Sequence, residues 1–280
     1  EKLIKYDLNL NEVARATVSF GAQHANGNGI VVTPNGEVIA AVTSGSTVKL
    51  VKYSGSLAPI SESDVSGLFA SDAEDLDLAF ANGVLMAAGF NSLGDALTVR
   101  KFDPALNYSG AFVTIPVQTS PGFGLKAGPE GLFYVAATSY SADGGDYRVG
   151  VYDPDLVLKA SANFDAGFGG FDQAIGLAVL DSSNVFITGT GNNGGNFDAV
   201  TFVKNLSAAG GGSTPPPGQE GGFWGLAGKD GRVWAAHRGI GAVRRYDSPL
   251  PPVSRTTPAQ QELFGPNGVI SPNALGVDGG

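Results

Sequence analysis

The segment YRVGVYD, residues 147–153, reads as a short strand that ends on an aromatic followed by Asp. The same word recurs along this chain of 280 residues, as KLIKYD at 2–7, VKLVKYS at 48–54 and LTVRKFD at 97–103. A weaker copy, DAVTFVK, lies at 198–204, and AVRRYD follows at 242–247. The marker residues are Tyr6, Tyr53, Phe102, Tyr152, Val203 and Tyr246, so the copies repeat every 43 to 51 residues. A period in that range signals a propeller blade, a unit that cannot bury its apolar faces alone and stacks against its own copies.

Two further apolar runs precede most copies. The first follows a Gly or starts near one: GIVVTP (29–34), DLAFANG (77–83), GLKAGPEG (124–131), GLAVLDSS (176–183) and GLAGKDG (225–231). The second follows a turn: EVIAAVT (37–43), VLMAAGF (84–90), LFYVAAT (132–138), VFITGT (185–190) and RVWAAHR (232–238). The joining PNG, ANG, PEG, DSSN and KDG segments carry hairpin turn chemistry. A more polar run comes after the marker in most copies, such as VARATVSF (13–20) and AFVTIPVQ (111–118). That is the pattern of an outer edge strand, where polarity limits edge-to-edge association. The order a-b-c-d within each copy predicts four-stranded antiparallel blades.

Composition agrees with many short strands and tight turns. There are 42 Gly and 16 Pro, whereas charged residues make up only 15%. A net charge of −9 opposes nucleic-acid binding, which needs clustered Lys and Arg. No apolar run approaches the roughly 18 residues of a membrane span. Cysteine is absent, which removes thiol nucleophiles, disulfides and zinc–thiolate sites together. Acidity with Gly, Ser and Asn richness is compatible with a bacterial protein outside the cytoplasm: extracellular, surface-bound or periplasmic.

Residues 1–20 supply only strands c and d, while GPNGVISPNALGVDGG (265–280) aligns with NGNGIVVTPNGEVIAA (26–41) as strands a and b. The sequence therefore predicts an all-β, six-bladed propeller over 1–280, its last blade closed by N- and C-terminal strands. The competing register puts NALGVDGG on strand a and leaves strand b missing. The stretch SAAGGGSTPPPGQEGG (207–222) is low in complexity, and its three prolines favour an extended conformation without ladder donors. It is expected to be a surface loop replacing most of strand d in the fourth blade; a domain boundary is the rival reading.

The segment IGLAVLDSSNVFITGTGNNGGNFDAVTFVKNL (175–206) resembles the short β-propeller (SBBP-like) repeats of bacterial surface and secreted proteins. GLAGKDGRVWAAHRGIGAVRRYD (225–247) resembles an NHL-like repeat. The resemblance spans most of the chain but rests on turn glycines and apolar alternation. It implies an extracytoplasmic binding or scaffolding module, a monomer or part of a larger chain, and names no ligand.

In such a fold the d–a and b–c connections emerge on one face around the channel. The residues just before each strand a would ring its mouth, with His24, Asn26, Asn28, Glu74, Asp75, Asp77, Gln173, Phe223, Trp224 and Asn267 as candidates. Acceptors beside aromatics suit a carbohydrate or protein ligand; the same residues could equally cap turns and pack between blades. Asp72, Glu74, Asp75 and Asp77 raise the possibility of a divalent cation such as calcium, but their spacing is not that of an EF-hand loop. Asp95, Asp146 and Asp198 recur before strand c and are expected to brace turns.

An enzymatic alternative also comes from resemblance. GPNGVISP (265–272) looks like the PNG-containing strand of gluconolactonase-like six-bladed hydrolases, which bind a divalent metal through Glu, Asn and Asp. The resemblance would make Asn267 a ligand, with Asn28 and Asp75 beside it. The family's paired Asp and its Glu near the chain start have no clear counterparts here. His24 and His237 are the two histidines, and no GxSxG elbow accompanies them. The leading expectation is non-catalytic recognition without a cofactor.

Overall fold

The computed structural model describes residues 2–6, 12–18, 26–70, 76–115, 123–128, 130–139, 146–164, 173–181, 184–193, 196–204, 223–229, 232–237, 242–247 and 261–264. Among them there is no helix, and the strands form six antiparallel sheets. The first pairs β1 (Lys2–Tyr6) with β2 (Glu12–Thr17). The second holds β3 (Asn26–Val32), β4 (Val38–Ser44), β5 (Thr47–Tyr53) and β6 (Pro59–Asp64). The third holds β7 (Leu76–Ala81), β8 (Val84–Phe90), β9 (Leu97–Phe102) and β10 (Tyr108–Ile115).

The fourth sheet holds β11 (Phe123–Ala127), β12 (Phe133–Ser139), β13 (Asp146–Tyr152) and β14 (Leu158–Phe164). The fifth has three strands among the described residues, β15 (Gln173–Asp181), β16 (Asn184–Asn193) and β17 (Asn196–Lys204). The sixth holds β18 (Phe223–Lys229), β19 (Arg232–His237), β20 (Ala242–Asp247) and β21 (Gln261–Phe264). Strand order follows chain order in every sheet, as hairpin connections require. The expected loop at 207–222 and the expected closing strands at 265–280 lie outside the described residues.

The chain divides into two compact units, one holding the first three sheets and the other the last three. In the first unit the sheets pack face to face. Side chains alternate across a strand, so β4 and β5 send Ile39, Ala41, Val48 and Leu50 toward Leu76, Leu78, Leu85 and Ala87 of the third sheet. Their opposite face sends Val38, Val51 and Tyr53 toward Leu3, Ala14 and Ala16 of the first sheet. Coverage on both faces explains why VIAAVTS in β4 is buried at every position. The outer strand β6 has no second neighbour in its sheet, and it alternates exposed and half-buried residues.

In the second unit a comparable core joins Tyr134, Tyr147 and Val149 to Leu177, Val185 and Ile187. Burying each such side chain is worth about 1.5–3 kcal/mol. The first strands of consecutive sheets run side by side, β3 beside β7 in one unit, β11 beside β15 and β15 beside β18 in the other.

The recurring Gly at the head of these strands has a steric cause. A Cβ at Gly29 would sit 2.5 Å from the Leu76 carbonyl oxygen, and one at Gly124 would sit 2.8 Å from the Leu177 Cβ. Only a missing side chain lets the backbones approach this closely.

In the fifth sheet the β16–β17 ladder runs from Val185 opposite Lys204 to Asn193 opposite Asn196, which places Asp198 within β17, opposite Gly191.

Candidate functional site

The second, third and fourth sheets, whose turns are described, each have two ends of different construction. At one end lie the turns joining first to second and third to fourth strands. The third-to-fourth turns repeat one design. Ser54 N–H donates to Ala58 O (2.8 Å), Asp103 N–H to Asn107 O (3.0 Å) and Asp153 N–H to Val157 O (3.1 Å). Inside each, a Leu amide donates back to the first residue, and that Leu is left-handed, with φ of 63° at Leu57, 72° at Leu106 and 64° at Leu156.

A non-Gly residue in that region costs about 1–2 kcal/mol. The strain is offset by burial, since Leu57 and Leu106 are buried and Leu156 is half-buried. The first residue also braces the turn with its side chain. Asp103 Oδ1 accepts from the Ala105 and Asn107 amides, and Asp153 Oδ1 accepts from those of Asp155 and Val157.

The first-to-second turns are equally closed. Thr33–Glu37 and Gly128–Leu132 share one five-residue hydrogen-bond pattern, and Asn82-Gly83 has both φ values positive, as a two-residue hairpin turn demands. Lysines latch this end of the first unit from sheet to sheet. Lys5 Nζ donates to Gly55 O (3.0 Å), and Lys52 Nζ donates to Pro104 O (3.2 Å), the equivalent carbonyl one sheet on. Lys52 also pairs with Glu37 at 2.7 Å.

Turn geometry accounts for the shifted carboxylates. The Asn107 side chain and amide hold the Asp103 carboxyl below its usual range. The Lys159 ammonium, followed by the Val157 amide, does the same for Asp153. The Ser66 hydroxyl and amide lower Asp64. Burial pushes the Tyr53 and Tyr152 phenols up.

The opposite end holds the second-to-third turns and the longer connections between sheets. In the first unit, residues 65–70 cross from β6 to β7. Val65 N–H donates to Val48 O, Ser66 Oγ accepts from Val48 N–H, and Ala70 N–H donates to Phe90 O. The turn 91–96 is braced by Asn91, whose Oδ1 accepts from the Leu93 and Asp95 amides and whose Nδ2 donates to Asp95 Oδ1 at 2.7 Å. Asp95 is thus clamped by Asn91, and it is Asn91 that carries the bracing role expected of the Asp.

The first strands are irregular at this end. β3 shifts register between Gly27 and Ile30, β15 between Ala174 and Gly176, and β18 between Phe223 and Gly225. β7 and β11 pair without such a shift. A bulge bends its strand and re-aims the side chains beside it, and bulges concentrate at sheet edges and functional sites. Sequence reading gave no sign of these bulges.

Of the expected mouth residues, Asn26 and Asn28 lie on β3, with Asn26 opposite Thr43 and Asn28 within the bulge. Gln173 opens β15 opposite Thr190, and Trp224 is the bulged residue of β18, following Phe223 opposite His237. Asp77 Oδ1 accepts from its neighbour's amide, Leu78 N–H, at 2.9 Å. His24, Glu74, Asp75 and Asn267 lie outside the described residues, as does Asp72. The backbone therefore brings Asn26 and Asn28 onto one strand, and Gln173 and Trp224 onto adjacent strands of the second unit. Among the described residues no three His, Cys, Asp or Glu side chains form a group that could hold a metal ion.

No family model matches the chain, and no curated protein matches it significantly in sequence. Solved structures do match in shape. The structure titled as a nidogen/laminin complex aligns with a TM-score of 0.53 at 10% identity, covering 98% of this chain and 95% of that one. Drosophila plexin A, solved in complex with semaphorin 1b, aligns at 0.55 and 12% identity, covering 91% and 73%. A putative oxidoreductase (glucose dehydrogenase) from a Thermus species aligns at 0.52 and 14% identity, covering 87% and 88%. These are β-propeller proteins, and at such identities the likeness shows a propeller-like fold alone.

Proposed function

We propose that this chain is a single six-bladed β-propeller of the NHL-like or SBBP-like short-repeat kind, acting outside the cytoplasm as a non-catalytic recognition or scaffolding module. Its closing blade would combine β1 and β2 with strands from 265–280, and 207–222 would be a surface loop. The ligand face is the end bearing the bulged first strands, with His24, Asn26, Asn28, Glu74, Asp75, Gln173, Trp224 and Asn267 around the channel mouth. One observation carries this reading. Bulges interrupt β3, β15 and β18 at the heads of these first strands, where the expected mouth residues Asn28 and Trp224 sit, although pairing also shifts beside turns at the other end.

A protein or carbohydrate ligand fits a mouth of amides, carboxylates and an indole. Two of the similar propellers were solved as protein complexes, which supports the recognition reading. Among the described residues no helix is long and apolar enough to cross a membrane.

The second reading is a metal-dependent lactonase or sugar hydrolase using Asn28, Asp75 and Asn267. It gains some support from the bulge that carries Asn28. Calorimetric titration of chelator-treated protein with Ca²⁺, Mg²⁺, Mn²⁺ and Zn²⁺ separates the two readings. Tight binding lost in Asn267→Ala would replace the recognition reading with the hydrolase. The recognition reading expects no tight cation site, together with saturable quenching of Trp224 fluorescence by an oligosaccharide or protein ligand, lost in Trp224→Phe.

A further inference from the structure

Among the described residues, Arg100, on β9, has no carboxylate paired with its guanidinium. Its guanidinium carbon lies 5.0 Å from the centre of the Phe112 ring, 5.5 Å from Phe69 and 5.6 Å from Tyr108. One amino group donates to the Tyr108 hydroxyl at 3.1 Å, while Nε is buried with no acceptor. The ion pairs described in the first unit, Arg15–Glu12, Lys49–Glu62 and Lys52–Glu37, do not include it.

A guanidinium keeps its charge at any ordinary pH. Aromatic faces offset part of its desolvation but do not accept its remaining hydrogen bonds as a carboxylate would.

Arg100 is half-buried over the fully buried Phe69, and its outer side is bounded by Phe112. Phe112 stands opposite it in the β9–β10 register and is 55% exposed. β10 ends its sheet, so its outer main-chain groups have no strand partner among the described residues. A register shift between Tyr108 and Phe112, with Gly110 at φ 83°, interrupts the first half of β10, and Phe112–Ile115 pair regularly beyond it.

We propose that Arg100, framed by Phe69, Tyr108 and Phe112, receives a carboxylate side chain from an extended acidic segment of a partner protein. The carboxylate takes charge-assisted hydrogen bonds from the guanidinium. The exposed Phe112 ring covers the segment's aliphatic carbons. The free edge at Phe112–Ile115 adds a short main-chain ladder, the mode by which extended peptides join sheet edges. This site lies on the rim of the third sheet and is independent of the channel-mouth reading.

The test is titration of the full chain at low salt with an N-acetylated hexaglutamate amide, with the hexaglutamine peptide and free glucuronate as controls. Binding is followed by the Arg100 Nε–H resonance and by calorimetry. The proposal expects saturable hexaglutamate binding, a shifted Nε–H resonance, and at least tenfold weaker binding in Arg100→Gln. Phe112→Ala, at an exposed position, should weaken binding several-fold and keeps the test valid if the Arg100 variant fails to fold. Three results would overturn it: no saturable binding, equal binding by both variants, or glucuronate binding in the peptide's place.

Discussion

The two ends of each sheet solve different problems with the same strands. At the turn end, a left-handed Leu and an Asp or Ser brace recur in the second, third and fourth sheets, and lysine latches join the sheets of the first unit. At the connection end, first strands bulge in β3, β15 and β18 but not in β7 or β11. Repetition marks what stability requires of every sheet, whereas variation marks where selection for something else has room to act. Substitutions at the turn end should therefore change stability without changing binding, and substitutions at the connection end should do the reverse.

The largest effect is expected at Leu106, fully buried in a strained turn. Leu106→Ala should cost about 2–5 kcal/mol, read by urea denaturation. Leu106→Gly should cost no more than the Ala change, because Gly accepts a φ of 72° without penalty. A Gly variant markedly worse than Ala would show that the left-handed conformation carries no strain.

Next is Gly124→Ala, whose Cβ would meet Leu177. Overpacking of this kind costs about 1–3 kcal/mol, and a thermal melt should register it. Unchanged stability would mean that β11 and β15 do not approach as closely as described.

Lys52→Met keeps the aliphatic stem but removes the bonds to Pro104 O and Glu37. A loss of about 1 kcal/mol is expected, smaller at high salt.

The turn carboxylates add a pH dependence. Asp64, Asp103 and Asp153 have lowered values in the folded chain, so their stabilisation is present above the ordinary Asp range and disappears as pH falls through the folded values. Stability should fall below about pH 4, and replacing Asp103 and Asp153 with Asn should flatten that fall. An unaltered acid limb would remove these turns from the account. At the other end, Asn28→Ala should leave the thermal midpoint nearly unchanged while weakening ligand binding. A large drop in stability would make the β3 bulge a structural feature.

Much of the fold was legible because strand words and turn residues act locally. The aromatic-Asp word marked the ends of β5, β9 and β13, where Tyr53, Phe102 and Tyr152 are buried. The left-handed Leu four residues beyond each was not read. Leu is a poor left-handed residue by itself, and only burial, which sequence does not display, makes the position favourable. The bulges were invisible for a related reason: register belongs to a pair of strands, and each first strand read alone is only an apolar run after Gly. Of the candidate mouth residues, sequence could order them along the chain but could not show which strand heads would bend.

Closure of the ring is the claim on which the recognition face depends, since a channel mouth exists only if the first and last strands share a blade. Hydrogen exchange of the whole chain tests it most directly. In a closed ring the Lys2–Tyr6 amides of β1 should be protected as strongly as those of β9, and deleting 265–280 should abolish protection in β1 while sparing β9. Fast exchange throughout β1, the same with or without 265–280, would contradict a blade built from both ends of the chain.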